Sequence, residues 1–153
     1  MLKINIVAVG GIKEKFFSEA INEYSKRLSK FCQLKIVEVE EESSQKSIDV
    51  KKQKESERLL NSCKGVIVLL DREGEMVSSE KLAEMLNKYQ TQGNSEISFV
   101  IGGSNGVSDE FKTRSNKSIS FGKITFPHQL FRVVLLEQVY RAFSINNNSP
   151  YHK

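Results

Sequence analysis

The sequence predicts an α/β fold built on a largely parallel sheet, and three features predict it. Two apolar runs, Gly65-Val66-Ile67-Val68-Leu69-Leu70 and Ile97-Ser98-Phe99-Val100-Ile101, lack the polar alternation of a half-exposed strand. Each therefore belongs in a sheet covered on both faces. Apolar stripes at spacings of three and four separate the strand-like runs, as crossover helices require. No internal repeat or low-complexity linker divides the chain, so residues 1–153 read as a single domain, long enough to bury about two-thirds of its unfolded surface.

Residues 2–9 read as a buried strand closed by Gly10-Gly11, a pair that fits a turn. Residues 13–31 carry Phe17, Ala20 or Ile21, Tyr24, Leu28 and Phe31 on one helical stripe. A second strand spans 34–39. The charged stretch 40–64 starts as a loop and continues as a solvated helix from Val50 to Leu60. The strand ending at Leu70 leads into Asp71-Arg72-Glu73-Gly74, whose charges read as solvated; Asp71 itself fits a ligand contact or a turn equally well. Ser78 or Ser79 caps a helix bearing Leu82, Met85, Leu86 and Tyr89 that stops before Gly93. After the strand at 96–101, Ser108 caps a short helix with Asp109 and Glu110 in its first turn. Residues 118–125 form a last strand, and Pro127 opens a helix running to about Asn146.

Bulk properties exclude several classes. Hydrophobic and charged contents of 39% and 27% fit an ordinary folded domain. No apolar stretch reaches the roughly 18 residues of a membrane span, and the N-terminus lacks signal-peptide order. Cys32 and Cys63, without a C-x-x-C, read as reduced thiols of a cytoplasmic protein, with no histidine nearby in sequence to activate them. The two histidines, lacking a cysteine or carboxylate cluster, do not make a metal site. The net charge of +4 is modest, but its distribution is uneven. From Phe121 to Lys153 four cations (Lys123, Arg132, Arg141, Lys153) face the single anion Glu137, leaving +3 there. A basic surface beside a site suits a polyanionic substrate.

Ligands of parallel sheets lie beyond the carboxyl ends of the strands. That rule nominates Gly10-Gly11, Leu70-Asp71, Gly102 to Gly106, and Phe121 to Phe126. Gly102, Gly103 and Gly106 admit a close ligand or merely permit a turn; they match neither a Walker loop nor a dinucleotide fingerprint. His128 reads first as a helix-start histidine with a structural hydrogen bond. The C-terminal Tyr151-His152-Lys153 is different, because no core role explains an aromatic and an imidazole at a chain end. Arg132 and Arg141, nine apart on the last helix, point about 180° from one another.

Four segments together carry a resemblance: Ile101 to Gly106, Thr125-Phe126-Pro127-His128-Gln129, Arg132 to Ala142, and Pro150 to Lys153. With Ile6 to Gly10 and Glu23 to Leu28, they resemble the RlmH family over the whole chain. Those are bacterial SPOUT-class methyltransferases acting on N3 of a pseudouridine in 23S ribosomal RNA of the large subunit. Only the spacer Asn146 to Ser149 departs in type. The resemblance implies a SPOUT-type parallel sheet flanked by helices, with a C-terminal trefoil knot, in a homodimer. It also implies S-adenosyl-L-methionine as cofactor, held by Leu70, Gly102, Phe121, Gly122, Lys123, Ile124, Thr125 and Phe126. The tail would lie over that pocket, with His152, Tyr151 and Arg132 as catalytic candidates. Tyr151 would hold the base, and His152 would accept or orient the N3 proton, since an imidazole is mostly neutral near pH 7. Arg132, Arg141, Lys123 and Lys153 would meet phosphates or developing negative charge. The substrate would be rRNA within the ribosome, in the cytoplasm, with no membrane and no metal. A rival expectation is a ribosome- or RNA-binding factor of the same fold without activity. A flavodoxin-like nucleotide-binding domain is disfavoured, because Gly10-Gly11 builds no phosphate loop.

Overall fold

The computed structural model describes residues 1–43 and 45–153. Ser44, inside the expected loop after residue 40, lies outside the described residues. The elements run β1 (Lys3–Val9), α1 (Lys15–Leu28), β2 (Gln33–Val39), α2 (Ile48–Ser62) and β3 (Val66–Met76). Then follow α3 (Ser79–Thr91), β4 (Glu96–Ile101), α4 (Asp109–Arg114), β5 (Lys117–Ser120) and α5 (His128–Asn146). The five strands form one sheet in the order β2-β1-β4-β3-β5, and every pairing is parallel. Crossover helices keep the strands co-directional, so the carboxyl ends of β1, β3 and β4 gather on one edge.

Alternation along each strand sorts side chains onto two cores. Ile4, Ile6 and Ala8 of β1, with Phe99 of β4, pack against Leu28 of α1, Leu82 and Leu86 of α3, and Leu135 and Val139 of α5. Val7, Val9, Leu69 and Val100 face Leu59 of α2 and Phe111 of α4. Each of these Val, Leu, Ile and Phe side chains contributes about 1.5–3 kcal/mol through burial. Ser47, Ser78 and Ser108 cap α2, α3 and α4 by accepting from Val50, Lys81 and Phe111 amides, so Ser78 rather than Ser79 is the α3 cap. Among the described residues no helix is long and apolar enough to cross a membrane.

Two expectations need correction, and both concern the ligand edge. Asp71 to Gly74 is not a terminal turn: β3 continues to Met76, with a register shift between Leu70 and Glu75 against β5. Strand continuation there requires Gly74, because a Cβ would stand 2.7 Å from the Ser118 carbonyl carbon. Conversely, the last strand stops at Ser120 instead of 125. Gly122, at φ 122°, breaks the extended course, and Ser120 Oγ accepts the Gly122 amide at 3.1 Å to close the turn. Residues 121–127 are thereby freed to form a wall.

Candidate active site

A cavity of about 810 Å³ opens at the carboxyl ends of the strands. Its walls come chiefly from four segments: Gly10 to Lys13 after β1, Leu70 to Glu73 within β3, Gly102 to Val107 after β4, and Phe121 to Phe131 before and into α5, with Glu41, Lys52 and Lys112 at its margin. Leu69, Leu70, Ile101, Ile119, Phe121, Phe126 and Phe131 make much of the surface apolar. Phe131 stacks on Phe126 at 5.8 Å and tilts against Phe121 at 5.7 Å, which stiffens that wall. The glycine loop folds on itself through an antiparallel Gly103–Gly106 bridge, the Gly106 amide donating to the Gly103 carbonyl at 2.9 Å. A Cβ on Gly102 would meet Val107 Cγ1 at 2.8 Å, so only glycine lets the loop pack this closely. Gly106 turns back at φ 78°.

Charged groups ring the mouth. Asp71 pairs with Lys112 at 3.6 Å, and Arg72 donates to the Thr125 hydroxyl. The β1–α1 loop is tied to α5 by Gln129, whose Oε1 accepts the Lys13 and Glu14 amides at 3.0 and 3.3 Å. His128 lines the same wall, but its Nε2 is buried with no hydrogen-bond partner among the described residues, so the expected structural hydrogen bond is not found at that nitrogen. Burial, and then the neighbouring Arg132 charge, hold the His128 pKa below its ordinary value.

Of the residues expected to hold the cofactor, Leu70, Gly102, Phe121, Gly122, Ile124, Thr125 and Phe126 line this cavity, and Lys123 does not. The catalytic candidates lie elsewhere. Arg132 is only 1% exposed; it bonds Glu38 and donates to the Gly10 carbonyl at 3.0 Å. It ties α5 to β2 and to the loop after β1, and in the single chain its guanidinium is not exposed.

Tyr151 and His152 do not cover the cavity of their own chain. They fold back along α5. Asn148, at φ 54°, supplies the left-handed residue of a Schellman cap, with Ser149 N–H on Ser144 O at 2.8 Å and Asn148 N–H on Ile145 O at 3.1 Å. The chain reverses there, and Tyr151 packs edge-on to Tyr140 with ring centroids 4.8 Å apart. Its hydroxyl donates to Glu137 Oε2 at 2.8 Å, and Arg141 donates to the same oxygen at 2.7 Å. Burial pushes the Glu137 carboxyl up, but the hydrogen bonds from Arg141 and Tyr151 outweigh it and hold the pKa below 4.5. Burial, then the Glu137 hydrogen bond, pushes Tyr151 up to about 12.

His152 is held at both nitrogens: Nδ1 faces Arg141 Nη1 at 3.0 Å and Nε2 faces Glu80 Oε1 at 2.7 Å. A guanidinium only donates, so Nδ1 is the acceptor and Nε2 carries the proton to Glu80. Glu137 is the hub that sequence reasoning missed. Its i,i+4 spacing to Arg141 was the available signal, though such pairs are common on solvated helices. Cys32 and Cys63 are pushed up to about 12 by burial, which makes thiolate chemistry unfavourable. Among the described residues, no three His, Cys, Asp or Glu side chains are placed to hold a metal.

Comparison with known proteins adds four findings. The family described as predicted SPOUT methyltransferase matches residues 2–152. The chain is 49% identical over 159 aligned residues to ribosomal RNA large subunit methyltransferase H of Clostridium botulinum (strain Alaska E43 / Type E3), covering 99% of this chain and 100% of that one. A relative of the same description from Clostridium acetobutylicum is 46% identical with the same coverage. Among solved structures, a probable methylase family protein from Haemophilus influenzae Rd KW20 superposes with a TM-score of 0.57 at 13% identity. That match covers 98% of this chain and 70% of the other, and shows a shared fold alone.

Proposed function

The chain belongs to the SPOUT methyltransferase family, and on that premise we propose that it methylates large-subunit ribosomal RNA, using S-adenosyl-L-methionine, at N3 of a pseudouridine. The observation that carries the reading is near-half identity along the entire chain to relatives of that description. The cavity at the strand ends supports it independently. Its aromatic and aliphatic walls suit an adenine, and its glycine loop brings backbone groups within reach of a ribose. The residues present fit the cofactor, and Leu70, Gly102, Phe121, Gly122, Ile124, Thr125 and Phe126 would hold it. When bound, it supplies an already activated methyl group, so the protein's task is alignment and proton removal.

Tyr151 and His152 remain the residues that would face the base, Tyr151 by stacking or hydrogen bonding and His152 by taking or orienting the N3 proton. Within one chain neither meets the cavity. A homodimer resolves this. Leu130 and Val134 are half-buried and belong to neither core, and they share an α5 face with Glu137 and Arg141. Ile124, 74% exposed at the cavity rim, adds apolar surface for a second copy. A partner on this face would bring its tail towards the cavity and free His152 Nδ1 from Arg141. The trefoil knot of the family, one domain over residues 1–153, and a cytoplasmic site of action beside ribosomes complete the proposal.

Methyl transfer from radiolabelled cofactor to ribosomes lacking the modification, with mapping of the labelled nucleotide, tests it. Label at one pseudouridine of large-subunit rRNA is the expected result. Ribosome binding without label would instead support the non-catalytic binding factor.

A further inference from the structure

Glu55 of α2 is 3% exposed, although a carboxylate is seldom buried without full pairing. Its Oε2 accepts the Glu42 amide at 3.0 Å, while Oε1 is buried with no hydrogen-bond partner among the described residues. That oxygen lies 2.6 Å from where a Cβ on Gly103 would stand, so only a glycine at 103 lets the carboxylate lie directly against the glycine loop. A carboxylate oxygen in such a position calls for a donor.

Glu55 also borders a side cavity of about 330 Å³, lined with Glu41, Glu42, Lys51, Ser104 and Asn105. The main cavity shares Glu41, Ser104 and Asn105 with it, so the two spaces are continuous around the glycine loop. Glu42 is already paired with Lys46 at 3.3 Å and with Arg58. That leaves Glu55 and Glu41 to meet a cation, with Lys51 beside them to meet an anion. One small lobe offering both signs of charge, joined to a larger apolar lobe, matches a nucleoside that carries a zwitterion.

We infer that the side cavity seats the amino-acid end of the cofactor, with Glu55 Oε1 accepting a hydrogen bond from its ammonium group. The inference rests on the reading of the main cavity as the adenosine site. One competing role is mechanical: the adjacent Ser56 Oγ accepts the Ser108 amide at 2.8 Å, so α2 braces the far end of the same loop, and Glu55 would do no more than extend that brace.

Calorimetric binding of S-adenosylhomocysteine and of its deaminated analogue separates these roles, because the analogue keeps the adenosine, sulfur and carboxylate and lacks only the ammonium. The unaltered protein is expected to prefer S-adenosylhomocysteine by roughly 10- to 100-fold, the scale of a hydrogen bond to a charged group. In Glu55→Gln that preference should collapse, with the analogue's affinity held within about two-fold. Equal weakening of both ligands in the variant would reduce Glu55 to a loop brace and overturn the inference. No preference in the unaltered protein would do the same, and that comparison stands even if the variant does not fold. If the unaltered protein binds neither nucleoside, the cofactor reading of the main cavity falls as well.

Discussion

The two ends of α5 carry two differently made surfaces. At its start the cavity is built largely from backbone, glycine and aromatic rings, and among the described residues the buried His128 Nε2 has no partner. Two to four turns later, the tail cluster is built from side chains that satisfy one another: Tyr151 and Arg141 on Glu137, His152 between Arg141 and Glu80. An unsatisfied surface is prepared for a ligand, whereas a satisfied one is at rest. On the proposed function, the difference teaches that Tyr151 and His152 are parked, and that using them would mean breaking contacts the free chain makes.

Removing the parked side should therefore affect turnover and spare binding. Deletion of Pro150 to Lys153 is expected to lower methyl transfer by at least about 10³-fold, with S-adenosylhomocysteine affinity unchanged within a few-fold. A circular dichroism spectrum that collapsed on deletion would make the tail structural and dissolve the contrast. His152→Ala is expected to lose roughly 10² in kcat at constant cofactor affinity, and unchanged turnover would remove His152 from the chemistry. On the cavity side, Gly102→Ala forces a methyl against Val107 and Gly106 and should cost about 1–3 kcal/mol in stability, read as a lower Tm, together with about ten-fold in S-adenosylhomocysteine affinity. Its tail cluster should be unaffected.

The smallest effect is in the titration of the tail. Glu137, depressed below 4.5, stabilises the cluster above that value and loses the contribution as pH falls through its folded pKa. Tyr151, raised from 10.0 to about 12, stabilises it fully below 10.0 and loses the contribution as pH rises through about 12. Ultraviolet titration should find one of the four tyrosines ionising near 12, absent in Tyr151→Phe and shifted down in Glu137→Gln. An unshifted tyrosine in the glutamine variant would uncouple the pair.

Sequence reading recovered the strands whose residues are apolar on both faces, because burial on both sides leaves a continuous run. It failed where the chain departs from regular structure for the sake of the ligand edge. Asp71 to Gly74 look like a turn by composition, yet β5 pairs with the strand beyond them. Residues 121–125 look extended, and Gly122 diverts them into a wall. The side chains at the cavity were partly legible, since glycines and strand ends announce themselves. Glu55 and Glu137 were not, because each sits on a helix among many charges and only tertiary packing distinguishes it. The spacer Asn146 to Ser149 looked incidental, whereas Asn148 turns the chain.

That left-handed asparagine has a practical consequence for anyone labelling this protein. The backbone leaves α5 on a set course, so a tag or fluorophore joined after Lys153 would sit on the α3–α5 face, over the groups that must be released. Met1 is 73% exposed and precedes β1. If Tyr151 and His152 act on the base as proposed, a carboxy-terminal tag would inhibit transfer without touching the cofactor cavity.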